Sequence, residues 1–215
     1  MLDENLIARL VQRGVATETF RRLTPDKKER LYHTTIELFG EYGYDGLSVD
    51  RICRLAGISK GSFFQYFASK SHLLEFDLLV LDERLGRWVG SIKVAEKAAL
   101  ARDRLVGLYR SVATQTELLP GEQKFYLFVT DAVAHAGIEL EGIDPARHFH
   151  DCVTEIIRRG VQTGEVRGDL DAESTAYLVS LVIDGLIRAK YSQREIAHPD
   201  LKDRLASLLF DGLKA

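Results

Sequence analysis

Apolar residues recur every three or four positions along almost the whole chain, which is the spacing of one face of an α-helix. No segment alternates apolar and polar residues between two turn signals, so the sequence predicts no β-strand. Neither internal repeats nor low-complexity tracts are present. The pattern predicts an all-α fold of roughly nine or ten helices, divided between a smaller N-terminal unit and a larger C-terminal unit.

The segment from residue 47 to residue 70, LSVDRICRLAGISKGSFFQYFASK, predicts two short helices joined by a tight turn. Ser48 and Ser59 are N-cap residues, whose hydroxyls can accept a hydrogen bond from an otherwise unpaired backbone N–H. Gly57 lies between the helices, where a residue without Cβ tolerates the positive φ of a sharp turn. This is the layout of a helix-turn-helix, whose second helix enters the major groove. The predicted apolar contacts are Val49, Ile52, Leu55, Ala56, Phe63, Tyr66 and Phe67.

Small, basic and aromatic residues follow a specific register in the run AGISKGSFFQYFASK at residues 56–70. With Gly43-Tyr44 and Leu47-Ser48-Val49 upstream, this run resembles the DNA-binding domain of the TetR (tetracycline-repressor) family of bacterial regulators. The resemblance implies an N-terminal three-helix helix-turn-helix DNA-binding domain at 25–71, and the amphipathic pattern of the residues before it predicts a helical extension at 1–24. A C-terminal helical domain for ligand binding and dimerisation follows at 72–215. Phe64 and Gln65 lie where relatives often carry tyrosine and histidine, a departure that bears on the operator sequence rather than on the fold.

The resemblance also implies which residues contact double-stranded DNA. Lys60 can donate to guanine, Gln65 can pair with adenine, and Phe64 can touch thymine methyl groups. The alternative for each residue is surface solvation or, for Tyr66 and Phe64, core packing. The predicted DNA-binding residues are Ser48, Ser59, Lys60, Gly61, Ser62, Phe64, Gln65, Tyr66 and Lys70, of which Ser48, Tyr66 and Lys70 lie where relatives grip phosphates.

The formal net charge of the chain is −3, so no overall basic field marks it as a nucleic-acid binder. From residue 48 to residue 72, however, four basic residues stand against one acidic residue. From residue 76 onward there are 18 basic and 22 acidic residues. A small basic patch on an acidic body fits specific DNA binding that depends on base contacts and on a dimer.

A homodimer is predicted because one recognition helix contacts too few base pairs for useful selectivity. Two-fold symmetry calls for a palindromic operator with half-sites about one helical turn (~34 Å) or more apart. The resemblance implies a four-helix bundle formed by the helices at about 145–163 and 172–189 of the two subunits. Independently, the run from Ala176 to Ile187 is too apolar to face water.

The C-terminal part is much larger than the DNA-binding domain, which predicts a second function. Relatives in the TetR family hold a small apolar molecule there, so this function is effector binding. Binding of such an effector shifts the equilibrium away from the DNA-competent arrangement. We therefore expect a ligand-responsive regulator, a repressor that a small apolar or amphipathic effector releases from DNA. The alternative is that aromatic residues at helical spacing are simply core. The candidate lining residues are Trp88, Tyr109, Phe125, Phe128, His135 and Phe149.

Other functional classes find little support in the sequence. It contains no HExxH and no phosphate-binding glycine loop, so we expect neither an enzyme nor a cofactor. His148, Asp151 and Cys152 share one side of a predicted helix but lack an evident fourth metal ligand, which favours surface or interface histidines and no metal site.

The sequence also predicts a cytoplasmic protein. Cys53 and Cys152 lie within helical apolar patterns and are expected to be reduced. The sequence contains no run of ~18 apolar residues, so no membrane span is expected. The N-terminus lacks the apolar core of a signal peptide. Residues 1–24 are either an arm whose Arg21 and Arg22 reach DNA or a helix docked on the body.

Overall fold

The computed structural model describes residues 2–95, 100–114, 120–135, 147–191 and 211–213. Within these ranges the chain forms ten α-helices and no β-strand, so the all-α prediction is confirmed. A terminal helix predicted at about 201–209 lies outside the described residues. The helices are α1 (Glu4–Gln12), α2 (Glu18–Arg21), α3 (Pro25–Tyr42), α4 (Val49–Ala56), α5 (Lys60–Tyr66), α6 (Lys70–Ala95), α7 (Ala101–Thr114), α8 (Pro120–His135), α9 (Arg147–Thr163) and α10 (Ala172–Tyr191).

Backbone contacts divide the chain into two compact units. The first comprises Met1–Arg84 and Leu118–Pro145, and the second comprises Leu85–Glu117 and Ala146–Ala215. The first unit therefore contains α1 to α5, the first half of α6, and α8. The domain boundaries predicted from the sequence divide the chain by function, and they stay a prediction.

The predicted capping residues begin and end the helices of the helix-turn-helix. The Ser48 hydroxyl accepts from the Arg51 N–H at 3.2 Å, and the Ser59 hydroxyl accepts from the Ser62 N–H at 2.9 Å. Gly57 has φ 66° and ψ 34°, the left-handed conformation that turns the chain between α4 and α5. These local bonds set the angle at which α5 leaves α4.

Inside α4, one prediction was wrong. Leu55 is 49% exposed, whereas Cys53 is 5% exposed and takes the inward position. The inward face of α4 is centred on Ile52 and Cys53, and Leu55 lies about one third of a turn away at 3.6 residues per turn.

Aromatic residues from α3 and α8 form one part of the core of the first unit. The ring of Phe39 lies 6.2 Å from that of Phe125 and 6.4 Å from that of Phe128. The two helices approach closely at Gly40, where a Cβ would lie 2.9 Å from Lys124 Cβ and 3.0 Å from its backbone carbonyl carbon. Only glycine allows this approach, because any side chain would meet the backbone of α8.

A buried polar network also joins these helices to α6. Glu122 of α8 is fully buried and accepts from the Tyr32 hydroxyl at 2.9 Å and from Arg84 Nη1 at 2.6 Å. Burial, together with the negative charge of Glu122, raises the pKa of Tyr32, so its hydroxyl remains a donor. The network satisfies polar groups that would otherwise cost free energy in this core.

The first half of α6 is buried nearly all round, as its sequence predicts. Within it, Asp77 is fully buried, and its Oδ1 lies 3.0 Å from the hydroxyl of Thr35. Its other carboxyl oxygen has no hydrogen-bond partner among the residues that the structure describes. Burial raises the pKa of Asp77 well above its usual range, which favours the neutral form of this carboxyl.

The second unit is built around α9, which packs against α7 and α10. Its inward face is apolar and includes Phe149, Cys152, Val153, Ile156 and Ile157. Asp171 caps α10 by accepting from the Ser174 N–H at 2.8 Å. In the parts of the chain that are described, no helix is long and apolar enough to cross a membrane.

Candidate DNA-binding interface

Helix α5 presents one face to solvent, and that face carries the residues predicted to read bases. Lys60, Gly61 and Gln65 are exposed, and Phe64 is 49% exposed. On the opposite side, Phe63 is fully buried and holds the helix against the core. An aromatic ring half exposed beside a glutamine and a lysine offers both apolar and hydrogen-bonding contacts to a partner.

The fold itself does not require glycine at position 61. A Cβ there would meet only the Ser59 hydroxyl oxygen, at an ordinary contact distance of 3.7 Å. Gly61 is the second residue of α5, where glycine loses more backbone freedom on folding than alanine would. A glycine at this exposed site is unfavourable for the helix itself, but it leaves room for a bound molecule to approach the helix backbone closely.

Lys60 forms an exposed ion pair with Asp50 of α4, with 3.0 Å between Nζ and Oδ1. An exposed pair of this kind contributes little to stability. Lys60 can therefore exchange Asp50 for an acceptor on DNA at low cost. Ser62 is half-buried, and its hydroxyl lies 2.8 Å from that of the helix-capping Ser59.

Lys70 is occupied within the chain in a way that the sequence did not indicate. Its Nζ donates to the carbonyl oxygens of Tyr44 and Leu47 at 2.7 and 2.8 Å, and it lies 3.9 Å from the centre of the Tyr44 ring. These contacts hold the loop between α3 and α4, so Lys70 supports the start of the helix-turn-helix. Two of the three donors of the Lys70 ammonium are used in these bonds.

Two further predicted phosphate contacts differ in burial. Ser48 is exposed at the start of α4, where its hydroxyl already caps the helix. Tyr66 is half-buried at the end of α5, with its ring 6.2 Å from the ring of Phe20. The nearby cation Arg51 lies with its guanidinium 3.7 Å from the centre of the Tyr42 ring.

Two of the six candidate ligand-lining residues meet in the second unit. The rings of Trp88 and Phe149 lie edge to face with their centres 5.6 Å apart, and both side chains are buried. Tyr109 and His135 are in helices, but their side chains lie outside the described residues. Phe125 and Phe128 belong to the first unit.

Phe125 and Phe128 are packed as core residues, which was the alternative to a ligand-lining role. Phe125 is fully buried, and the two rings lie 6.1 Å apart, both beside Phe39 of α3. Aromatic pairs of this separation stabilise a helix–helix contact. Their packing fits a structural role in the unit that carries the recognition helix.

The side chains of His148, Asp151 and Cys152, which share one side of the predicted helix, do not converge on one point. Cys152 is buried, Asp151 is exposed, and His148 lies against Gly86, where a Cβ would come within 2.8 Å of its ring. Among the described residues, no group of three histidine, cysteine, aspartate or glutamate side chains could hold a metal ion.

Comparison with known proteins agrees with this geometry. A profile of the family described as bacterial regulatory proteins, tetR family, matches residues 31–75, which span most of α3 and all of α4 and α5. The fatty acid metabolism regulator protein of Bacillus subtilis (strain 168) is 22% identical over 162 residues, or 74% of this chain and 80% of that protein. Residues 31–75 are therefore a TetR-family domain.

Further proteins to which this chain is similar are also regulators. The transcriptional repressor AcnR of Corynebacterium diphtheriae is 24% identical over 163 residues, covering 75% of this chain and 79% of AcnR. The crystal structure of the regulator FadR from Bacillus subtilis in complex with stearoyl-CoA has the same fold. Its TM-score is 0.66 at 18% identity, over 86% of this chain and 98% of FadR.

Proposed function

We propose that this TetR-family regulator binds a palindromic operator as a homodimer and represses transcription until a small apolar or amphipathic effector releases it. The observation that carries the proposal is the outward face of α5, where Lys60, Gly61, Phe64 and Gln65 are all exposed. A capped turn and a buried Phe63 anchor the opposite face. Residues 25–71 are the DNA-binding domain in this proposal, and residues 72–215 are the domain for effector binding and dimerisation.

The proposed contacts divide into reading and positioning. Lys60, Phe64 and Gln65 meet base edges, and Gly61 lets the helix backbone approach the groove. The phosphate backbone is contacted directly, or through neighbouring side chains, by Ser48, Ser59, Ser62, Tyr66 and Lys70. These contacts orient the DNA-binding domain but carry no base information.

The proposed dimer surface is the outer face of α10, together with α9. Tyr177, Leu178 and Leu181 are 58%, 64% and 51% exposed, and they share one side of the helix. Gly185 continues this side, and a Cβ there would have no described atom within 4 Å. An apolar stripe of this kind is typical of a surface that a second copy covers.

Replacing Gln65 by alanine tests the reading role. We expect affinity for the palindrome selected by the wild-type protein from random duplexes to fall about tenfold, with affinity for unrelated duplexes unchanged. The loss should concentrate at one base pair in each half-site. The measurement is binding-site selection followed by titration of single-substituted duplexes.

Gln12→Ala removes an exposed glutamine from α1 and serves as the matched control. An unchanged sequence preference in Gln65→Ala would refute the reading role. If the wild-type protein selected no inverted repeat at low salt, the proposed function itself would be wrong.

The apolar character of the effector rests on the buried Trp88–Phe149 pair and on the stearoyl-CoA bound by FadR. We expect stearoyl-CoA to lower the affinity of the full chain for its selected duplex at least about fivefold, as an allosteric coupling of ordinary size. Coenzyme A without the acyl chain is the control, since it lacks the apolar part. Release by coenzyme A alone, or no release by any acyl-CoA or free fatty acid, would contradict this effector class.

A further inference from the structure

Residues 2–24 pack against the helix-turn-helix, although they precede the family match at residue 31. Leu6, Ile7 and Leu10 of α1 are buried. Phe20 of α2 is fully buried, with its ring centre 5.1 Å from that of Phe67 and 4.9 Å from that of Phe76. The extension is therefore part of the same core as the recognition helix, which agrees with a docked helix rather than a free arm.

Ion pairs fasten the extension as well. Lys28 of α3 is 2% exposed, and its Nζ donates to Glu4 at 2.6 Å. Arg9 and Arg13 pair with Glu83 and Glu75 of α6 at 3.0 and 3.4 Å, in more exposed positions. This contact directs the buried Lys28 side chain to the exposed Glu4 of the extension.

Two hydrogen bonds join the extension to the last turn of α5. The backbone N–H of Thr17 donates to the carbonyl oxygen of Tyr66 at 3.1 Å, and the Thr17 hydroxyl donates to the carbonyl oxygen of Gln65. The last carbonyls of a helix have no partner within it, so Thr17 supplies partners from outside. Because α5 has seven residues, its ends contribute a large share of its stability.

We propose that Thr17 is a positioning residue for DNA reading. It fixes the C-terminal end of α5 and, through the Gln65 carbonyl, the direction in which the Gln65 side chain points. The inference rests on the proposed function, in which Gln65 reads a base. Without the hydroxyl, the last turn of α5 samples more conformations, and Gln65 reaches its base in fewer of them.

A purely structural role would lower stability without touching selectivity, and a matched variant separates the two. Asp3 caps α1 in the same extension by accepting from the N–H groups of Asn5 and Leu6 at 2.8 and 3.1 Å. Thr17 likewise caps α2 by accepting from the Phe20 N–H at 3.3 Å. Asp3→Ala and Thr17→Val both remove an N-cap, and the second also removes the bond from the Thr17 hydroxyl to α5.

The experiment uses the full chain and the palindromic duplex that the wild-type protein selects from random sequences. The quantity measured is the ratio of affinities for this duplex and for the duplex substituted at the base pair that Gln65 reads. We expect Thr17→Val to lower this ratio about fivefold, the effect of one hydrogen bond. Thr17→Ser keeps the donor and should keep the ratio, as should Asp3→Ala.

A double-mutant cycle gives the second readout. If Thr17 acts through Gln65, Thr17→Val should change the ratio no further in a Gln65→Ala background. Thr17→Ala replaces the valine variant if valine unfolds the chain. An unchanged ratio in Thr17→Val, or an equal loss in the Gln65→Ala background, overturns the inference even when the wild-type protein binds its palindrome. Failure of the wild-type protein to select any palindrome overturns the proposed function and this inference together.

Discussion

Replacing Leu178 by aspartate is expected to convert the regulator into monomers and to lower its affinity for the palindromic operator about 100-fold or more. Leu178 is 64% exposed on α10, so the fold of the subunit loses little when its side chain changes. In the proposed dimer, however, the new carboxylate would be buried in an apolar surface without a partner, which is strongly unfavourable. Each DNA-binding domain would then bind its half-site alone. The affinity gained when a dimer binds both half-sites at once would be lost.

The measurements are sedimentation, to give the oligomeric state, and titration of the selected duplex. Leu178→Met conserves volume and polarity and should remain dimeric with near wild-type affinity. Far-UV circular dichroism should show the same helix content in both variants. A Leu178→Asp protein that stayed dimeric and bound the operator normally would place the dimer surface elsewhere.

Replacing Asp77 by asparagine is expected to stabilise the protein increasingly as pH rises. Burial holds the pKa of Asp77 well above its unfolded value, so from about pH 4 upward the unfolded chain loses this proton while the folded chain keeps it. The contribution of Asp77 is fully present below the unfolded pKa and is lost as pH rises toward the folded pKa. Within that window, the wild-type free energy of unfolding should fall relative to Asp77→Asn by about 1.4 kcal/mol per pH unit.

Urea unfolding of both proteins at several pH values between about 4 and 8 checks this slope. Asp169→Asn is the control of opposite sign, because a hydrogen bond from Arg167 lowers the pKa of the exposed Asp169. Its small contribution should be present above the unfolded pKa and lost as pH falls. A constant difference between wild type and Asp77→Asn across the range would mean that Asp77 is ionised inside the folded chain.

Local signals in the sequence were sufficient for the helix-turn-helix. Serine at positions 48 and 59 and glycine at position 57 determine where α4 and α5 begin and how the chain turns between them. These features depend on backbone hydrogen bonds within three or four residues, so neighbouring residues specify them. The exposure of Lys60 and Gln65 follows from the same register, because Phe63 and Phe67 must face inward.

Local sequence signals could not predict the packing between distant segments of the chain. Nothing local to α8 indicates that it joins the unit of α3, since the close approach at Gly40 and the bond from Tyr32 to Glu122 link residues more than 80 positions apart. The inward position of Cys53 and the outward position of Leu55 likewise depend on how α4 is rotated against its neighbours.

The sequence by itself determined the all-α class, the resemblance of residues 31–75 to the TetR family and the outward face of α5, because periodicity and capping are short-range properties of the chain. The tertiary structure decided that Lys70 holds the loop before α4, that Asp77 is a buried acid with a raised pKa, and that Thr17 bonds the C-terminal end of α5. The physical reason is that burial and hydrogen-bond partners depend on which distant atoms surround a group. Only the folded chain brings those atoms together.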